Sequence, residues 1–319
     1  MKKVLFAVLC LSLAWSGCKK NEPTPAESTE NGKASEDNQG VQNHADAAIT
    51  DANNLVSANG SLSGRLSEAA QNAVDTNICG AAKDYSQIGQ GILTVSYDGV
   101  TVCNNRKRGG TIRITLLNYT TGARWIQANA KLKVDFINYK VTRASDGKSI
   151  KLNGNLIITN QSGGNFITLF LGSTPSLVHT VEGSSMQVAF DDSLNGTWNI
   201  NRRYSYAWNS NVATCTGEGI GTNNGVSNLE NWGTTRNGFP FTSQVTTPVV
   251  WNTTCGAWAP VQGKVVIRVQ NPGNAQITTT FGVNTTGQPV PITPNTCPYG
   301  MKIEWVWGGS SGNRILGYL

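Results

Sequence analysis

From Cys79 onward, apolar and polar residues alternate with a period of two, the signature of strands with one packed and one wet face. The clearest run is "GTWNINRRYSYAW" at 196–208. Trp198, Ile200, Tyr204, Tyr206 and Trp208 share one face, interrupted only by Arg202, while Thr197, Asn199, Asn201, Arg203 and Ser205 share the other. "KVVIRV" groups Val265, Ile267 and Val269, and "MKIEWVW" groups Met301, Ile303, Trp305 and Trp307. These sets are expected to form core. "LKVDFINYKV" starts in phase with Leu132, Val134 and Phe136, then slips by one residue to Ile137, Tyr139 and Val141, which predicts a β-bulge near Phe136.

Between these runs stand Asp98-Gly99, Asp146-Gly147, Asn153-Gly154, Asn195-Gly196, Asn224-Gly225 and Asn237-Gly238. Such dipeptides tolerate the positive φ of tight hairpins, and hairpins imply antiparallel pairing. The predicted fold is therefore all-β: an antiparallel hairpin meander over residues 79–319 forming a large curved sheet, a sandwich or a partial barrel. Upstream, residues 43–78 carry only weak helical stretches, "HADAAITDANNLV" and "LSEAAQNAV", interrupted by Gly60 and Gly64. One or two short helices are expected there. Residues 18–42 contain no aromatic and almost no aliphatic side chain, so they cannot offset their ordering entropy and are expected to form a disordered tether.

Two parts of the chain are alike. "CGAAKDY" at 79–85 leads to a strand, Cys103 and another strand, and "CGAWAPV" at 255–261 leads to a strand, Cys297 and another strand. The β region thus reads as two related halves, 79–205 and 206–319, either of one sheet or as separate domains. On this internal likeness Cys79 pairs with Cys103 and Cys255 with Cys297, leaving Cys215 over, although sequence does not settle connectivity. No CxxC spacing occurs and the chain has only two histidines, so no zinc site is expected.

Charged residues make up only 14% of the chain and glycines number 35, the profile of a turn-rich extracellular β protein. The net charge of +6 is spread out. Its densest cluster, "NNRKRGG" at 104–110, reads as a solvated turn, and without interleaved aromatics it does not suit nucleic acid.

Met1 to Gly17 has the parts of a secretion signal: Lys2 and Lys3, an apolar Val4–Trp15 segment, then Ser16 and Gly17 before Cys18. The small-small-Cys pattern resembles the lipobox of bacterial lipoproteins, with Trp15 where that motif usually has Leu. The resemblance implies a lipidated Cys18 that holds the chain to a membrane by its N-terminus. Further on, "CGA…LTVSYDG…C…RKRGGTIRIT…KVDFINYKVT…GKSIKLNGNLIITN" resembles a group of β-rich lipoproteins of Bacteroidetes-type bacteria, over most of the chain from Cys79. It implies a secreted cell-envelope protein, anchored in the outer membrane and facing the periplasm or the cell surface. It implies no activity.

Catalytic chemistry is not readable. His44 and His179 accompany no nucleophile turn, and Asp191, Asp192, Glu218, Glu230 and Glu304 stand at no diagnostic spacing. No calcium loop and no cofactor motif is present, so neither a metal nor a cofactor is expected. Trp232 in "NLENWGTTRNG" and Trp258 in "CGAWAP" have loop-like settings and are the candidates for stacking on sugar rings. The expected function is a lipid-anchored envelope protein with a structural or binding role and with an envelope protein or a glycan as partner. A surface carbohydrate- or matrix-binding module is the alternative, and an exported glycoside hydrolase the second alternative.

Overall fold

Alternating side chains and short polar turns produce a chain that pairs almost entirely with its own sequence neighbours. The computed structural model describes residues 30–64, 77–209, 212–255, 259–270, 274–291, 297–308 and 310–318. The strands are β1 (Ala81–Asp84), β2 (Ile92–Cys103), β3 (Arg106–Leu116), β4 (Ala130–Arg143), β5 (Ser149–Asn160), β6 (Ser176–Phe190) and β7 (Leu194–Asn209). After them come β8 (Val212–Gly219), β9 (Gly221–Asn223), β10 (Val226–Thr234), β11 (Pro240–Asn252), β12 (Gln262–Val269), β13 (Ala275–Val283), β14 (Gly300–Trp307) and β15 (Ser310–Gly317). All belong to one 15-stranded sheet. Its order follows the sequence from β1 to β7 and from β10 to β15, with β10 bonded to β7 and with β8 bridging β7 and β11. Strand β7 runs through the expected 205/206 boundary, so the two halves are parts of one sheet.

Three of the turn dipeptides are hairpin turns: Asp146-Gly147, Asn224-Gly225 and Asn237-Gly238. The other three lie inside strands. Gly99 (φ 76°) and Gly154 (φ 123°) sit at register shifts of β2 and β5, and the predicted bulge appears on β4 between Phe136 and Tyr139, with Asn138 at φ 50°. Gly196 is needed for close approach, because a Cβ there would lie 2.4 Å from the Thr234 carbonyl oxygen. Positive φ and missing side chains serve bulges as well as turns, which is why the dipeptides mark both.

The sheet curls around a helix. Helix α1 (Glu30–Ala58) lies against β4 and β5 on one side and β12 and β13 on the other, strands far apart in the sheet order. It begins inside the 18–42 stretch expected to be a disordered tether and is 29 residues long, where only short helices were expected. The reason is tertiary: Val41, Ala45, Ala48, Ile49, Ala52, Leu55 and Val56 are buried against the sheet, and Ala45, Ala48 and Ala52 let the backbones come close. After Asn59, which caps α2 (Gly60–Ser63) through its side chain, Gly64 at φ 101° ends α2, and the second expected helical stretch, "LSEAAQNAV", lies outside the described residues. The facing core is the concave set of strand residues, including Leu93, Val95, Ile112, Ile114, Leu132, Val134, Leu152, Leu156, Trp198 and Ile200. At the far end of α1, a short helix α3 (Phe166–Phe170) with an Asn165/Thr168 capping box inserts Phe166 beside His179 and Tyr206.

The expected core alternation is present on β7, where Trp198, Ile200, Tyr204 and Tyr206 are buried. On β14 it fails outward. Met301 is buried and Ile303 and Trp305 are half-buried, but Trp307 is 40% exposed, because β14 ends beyond the part of the sheet that faces the core.

Candidate functional site

The most concentrated chemistry in the molecule is the contact between α1 and the sheet. Arg202, the one polar side chain on the packed face of β7, is 2% exposed. Its guanidinium lies 3.5 Å from Asp46 of α1 and 3.7 Å from Glu230 of β10, and it donates to the Tyr204 hydroxyl at 3.3 Å. The Ser243 hydroxyl donates to Glu230 at 2.7 Å. Two carboxylates thus share one buried cation. Burial outweighs Arg202 at Asp46, Glu230 adds to it, and the Asp46 carboxyl is pushed up to about 7.

Two further aspartates of α1 meet arginines of the sheet. Arg236 holds Asp37 through two parallel bonds of 2.6 and 2.5 Å and stacks over Phe190, with its remaining nitrogen 3.2 Å from Asp191. Arg108 donates to Asp51 at 2.7 Å, and the Tyr97 hydroxyl donates to the same oxygen at 2.6 Å. Burial raises both carboxyls above their ordinary value despite these cations. His44, between them on α1, is pushed down to about 3 by burial and by Arg106, Arg143 and Arg108. The arrangement pins a helix. It presents buried, cation-facing carboxylates and no open carboxylate pair, with Asp46 Oδ1 and Arg202 Nε and Nη2 buried without a hydrogen-bond partner among the described residues.

The other predicted residues are placed as follows. Cys79 and Cys103 are bonded, with Cα atoms 6.2 Å apart, and Cys255 and Cys297 likewise at 5.3 Å. Cys215 belongs to neither disulfide and is buried on β8. Cys18 and Trp258 lie outside the described residues. Trp232 stands on strand β10 and not in a loop. Its ring is half-buried over Gly221, where a Cβ would come within 2.6 Å of it. Trp251 over Gly217 and Trp305 over Gly312 repeat that use of a glycine as a seat for an indole.

His179 is buried among Trp125, Phe166 and Tyr206, and burial pushes it down to about 3. Each of the five acids considered for glycoside hydrolysis faces a cation. Asp191 is paired with Arg236, Asp192 with Lys140, Glu218 with Arg203, Glu230 with Arg202 and Glu304 with Lys302. Within "NNRKRGG", Asn104 and Asn105 form the β2–β3 turn, while Arg106 to Gly110 are already strand. Among the described residues no group of three or more His, Cys, Asp or Glu is placed to hold a metal ion, and no helix is long and apolar enough to cross a membrane.

The charge pairs between helix and sheet were not found from sequence. The only signal was Arg202 on an otherwise apolar face; its partners are far away in the chain. Compared with models of protein families, with curated proteins and with solved structures, the chain matches none.

Proposed function

We propose that the chain is a lipid-anchored cell-envelope protein with a structural or binding role, held to the outer membrane through Cys18. The observation that carries this reading is an export-type leader ending in Ser16-Gly17-Cys18, joined to a domain closed by two disulfides. Disulfides of this kind belong to oxidising compartments outside the cytosol. The likeness to β-rich lipoproteins of Bacteroidetes-type bacteria supports the same reading. Eleven residues separate Cys18 from Glu30, where α1 starts, and such a segment spans at most ~40 Å when fully extended. The domain therefore stays close to its membrane.

A non-catalytic role is favoured by the cation-paired acids and by the burial of His179. The carbohydrate- or matrix-binding alternative draws little from Trp232, whose ring is seated on Gly221. Metabolic labelling with a palmitate analogue in a lipoprotein-processing bacterium tests the anchor. Label on the wild type that disappears in Cys18→Ser is expected, and an unlabelled wild type sinks the reading. Protease shaving of intact cells against a lysed control then decides between the cell surface and the periplasm.

A further inference from the structure

The antiparallel order puts the turns β2–β3, β4–β5, β6–β7 and β10–β11 at the same end of the sheet. Hydrogen bonds and ion pairs join them side by side. Asn105 donates to Ser145 at 3.3 Å, the Ser149 amide to Asp191 at 2.9 Å, and Arg236 to Asp191 at 3.2 Å. The same rim holds the start of α1, through Arg143 on Glu36 at 3.2 Å and Arg236 on Asp37. The chain leading back to Cys18 therefore leaves the domain at this end. The other end is filled by Leu62, Trp125, Phe166 and His179.

The rim carries exposed apolar side chains that the fold does not use: Val100 at 72%, Val102 at 53% and Leu194 at 41% exposure. Most of its acids are taken up within it, Asp146 by Arg143, Asp191 by Arg236 and Asp192 by Lys140, while Asp98 is bonded to Thr101 and the Val100 amide. Arg106, Lys107 and Lys148 make no ion pair among the described residues. Apolar side chains flanked by unpaired cations are the chemistry that suits the headgroup layer of a bilayer containing anionic lipid.

We infer that this four-turn rim is the face the domain lays on its own membrane, with Val100, Val102 and Leu194 entering the headgroup layer and Arg106, Lys107 and Lys148 meeting lipid phosphates. The inference rests on the anchor at Cys18. The short segment to that anchor supplies the high local concentration that a patch this small needs.

The test is amide hydrogen exchange on the full lipidated chain in vesicles of phosphatidylethanolamine and phosphatidylglycerol, compared with the Cys18→Ser chain free in solution. Slower exchange at 99–107, 144–148, 191–195 and 235–239 in the anchored sample is expected, with 161–175 at the opposite end unchanged. A Val100→Glu/Val102→Glu variant should still float with the vesicles but lose that protection. A chain that floats yet exchanges at the rim as it does in solution overturns the inference and leaves the anchor standing. A chain that does not float overturns both. Protection that follows protein concentration and not vesicles assigns the rim to a second copy, and also overturns it.

Discussion

Arg202 is the residue on which the interior turns. A buried guanidinium beside two carboxylates costs desolvation on three groups, and the proton on Asp46 relieves part of that cost. The consequence for stability has a definite sign. The Asp46 carboxyl is raised from 3.8 to about 7 in the fold, so its contribution is complete below about pH 4 and is lost as pH rises through 7. Asp46→Asn should remove this dependence. Unfolding free energies of wild type and variant from urea titrations at pH 4 to 8 should diverge by a few kcal/mol across that window, and parallel curves would refute the assignment. His44 and His179, both lowered from 6.5 to about 3, act in the opposite sense, because their contribution is complete above pH 6.5 and falls away on acidification. The comparison with Asp46→Asn isolates the carboxyl from them. In the sequence Arg202 was visible as an exception to a pattern. What the exception was for depended on Asp46, which is 156 positions earlier in the numbering and on another element.

Helix α1 shows how little an element's own pattern says when neighbours surround it. Its sequence is rich in Asn, Asp, Ser and Ala, with Val41, Ile49, Leu55 and Val56 as its only large aliphatic residues among those described with side chains. In isolation it lacks a broad apolar stripe. In the fold its apolar residues and alanines pack where the sheet closes in, and three of its aspartates meet arginines of the sheet. Some of that contact is imperfect: the side-chain amides of Asn53 on α1 and Asn231 on β10 are buried without a protein partner. Close packing predicts a sharp positional contrast. Ala48→Leu, at 0% exposure, is expected to lower stability by about 1–3 kcal/mol through overpacking, whereas Ala47→Leu on the half-buried side should change it little. Paired urea titrations read the difference, and equal effects would mean that the groove around α1 is looser than described.

The molecule as a whole is one sheet whose two ends are each tied by a disulfide. Cys79–Cys103 fastens the chain entering β1 to the end of β2, and Cys255–Cys297 closes the connection from β11 to the entry of β14. For loops of 24 and 42 residues, loss of each bond should cost about 3–4 kcal/mol through the freedom returned to the unfolded chain. Cys79→Ser/Cys103→Ser and Cys255→Ser/Cys297→Ser should therefore each lower the urea midpoint, and reduction of the wild type should lower it further. No shift on reduction would place the stability elsewhere. At this scale the division between sequence and structure is plain. Period-two alternation, the bulge at Phe136–Tyr139 and the antiparallel meander were readable along the chain, because each depends on residues close in sequence, and the internal repeat suggested the disulfide pairing without settling it. The curl of the sheet around α1, the folding of 30–42 into that helix, the use of Asp98-Gly99 and Asn153-Gly154 as bulges and the outward position of Trp307 were decided only by the tertiary structure. Those outcomes depend on which surfaces meet, and a polar helix becomes a core element only when a sheet brings arginines to its aspartates.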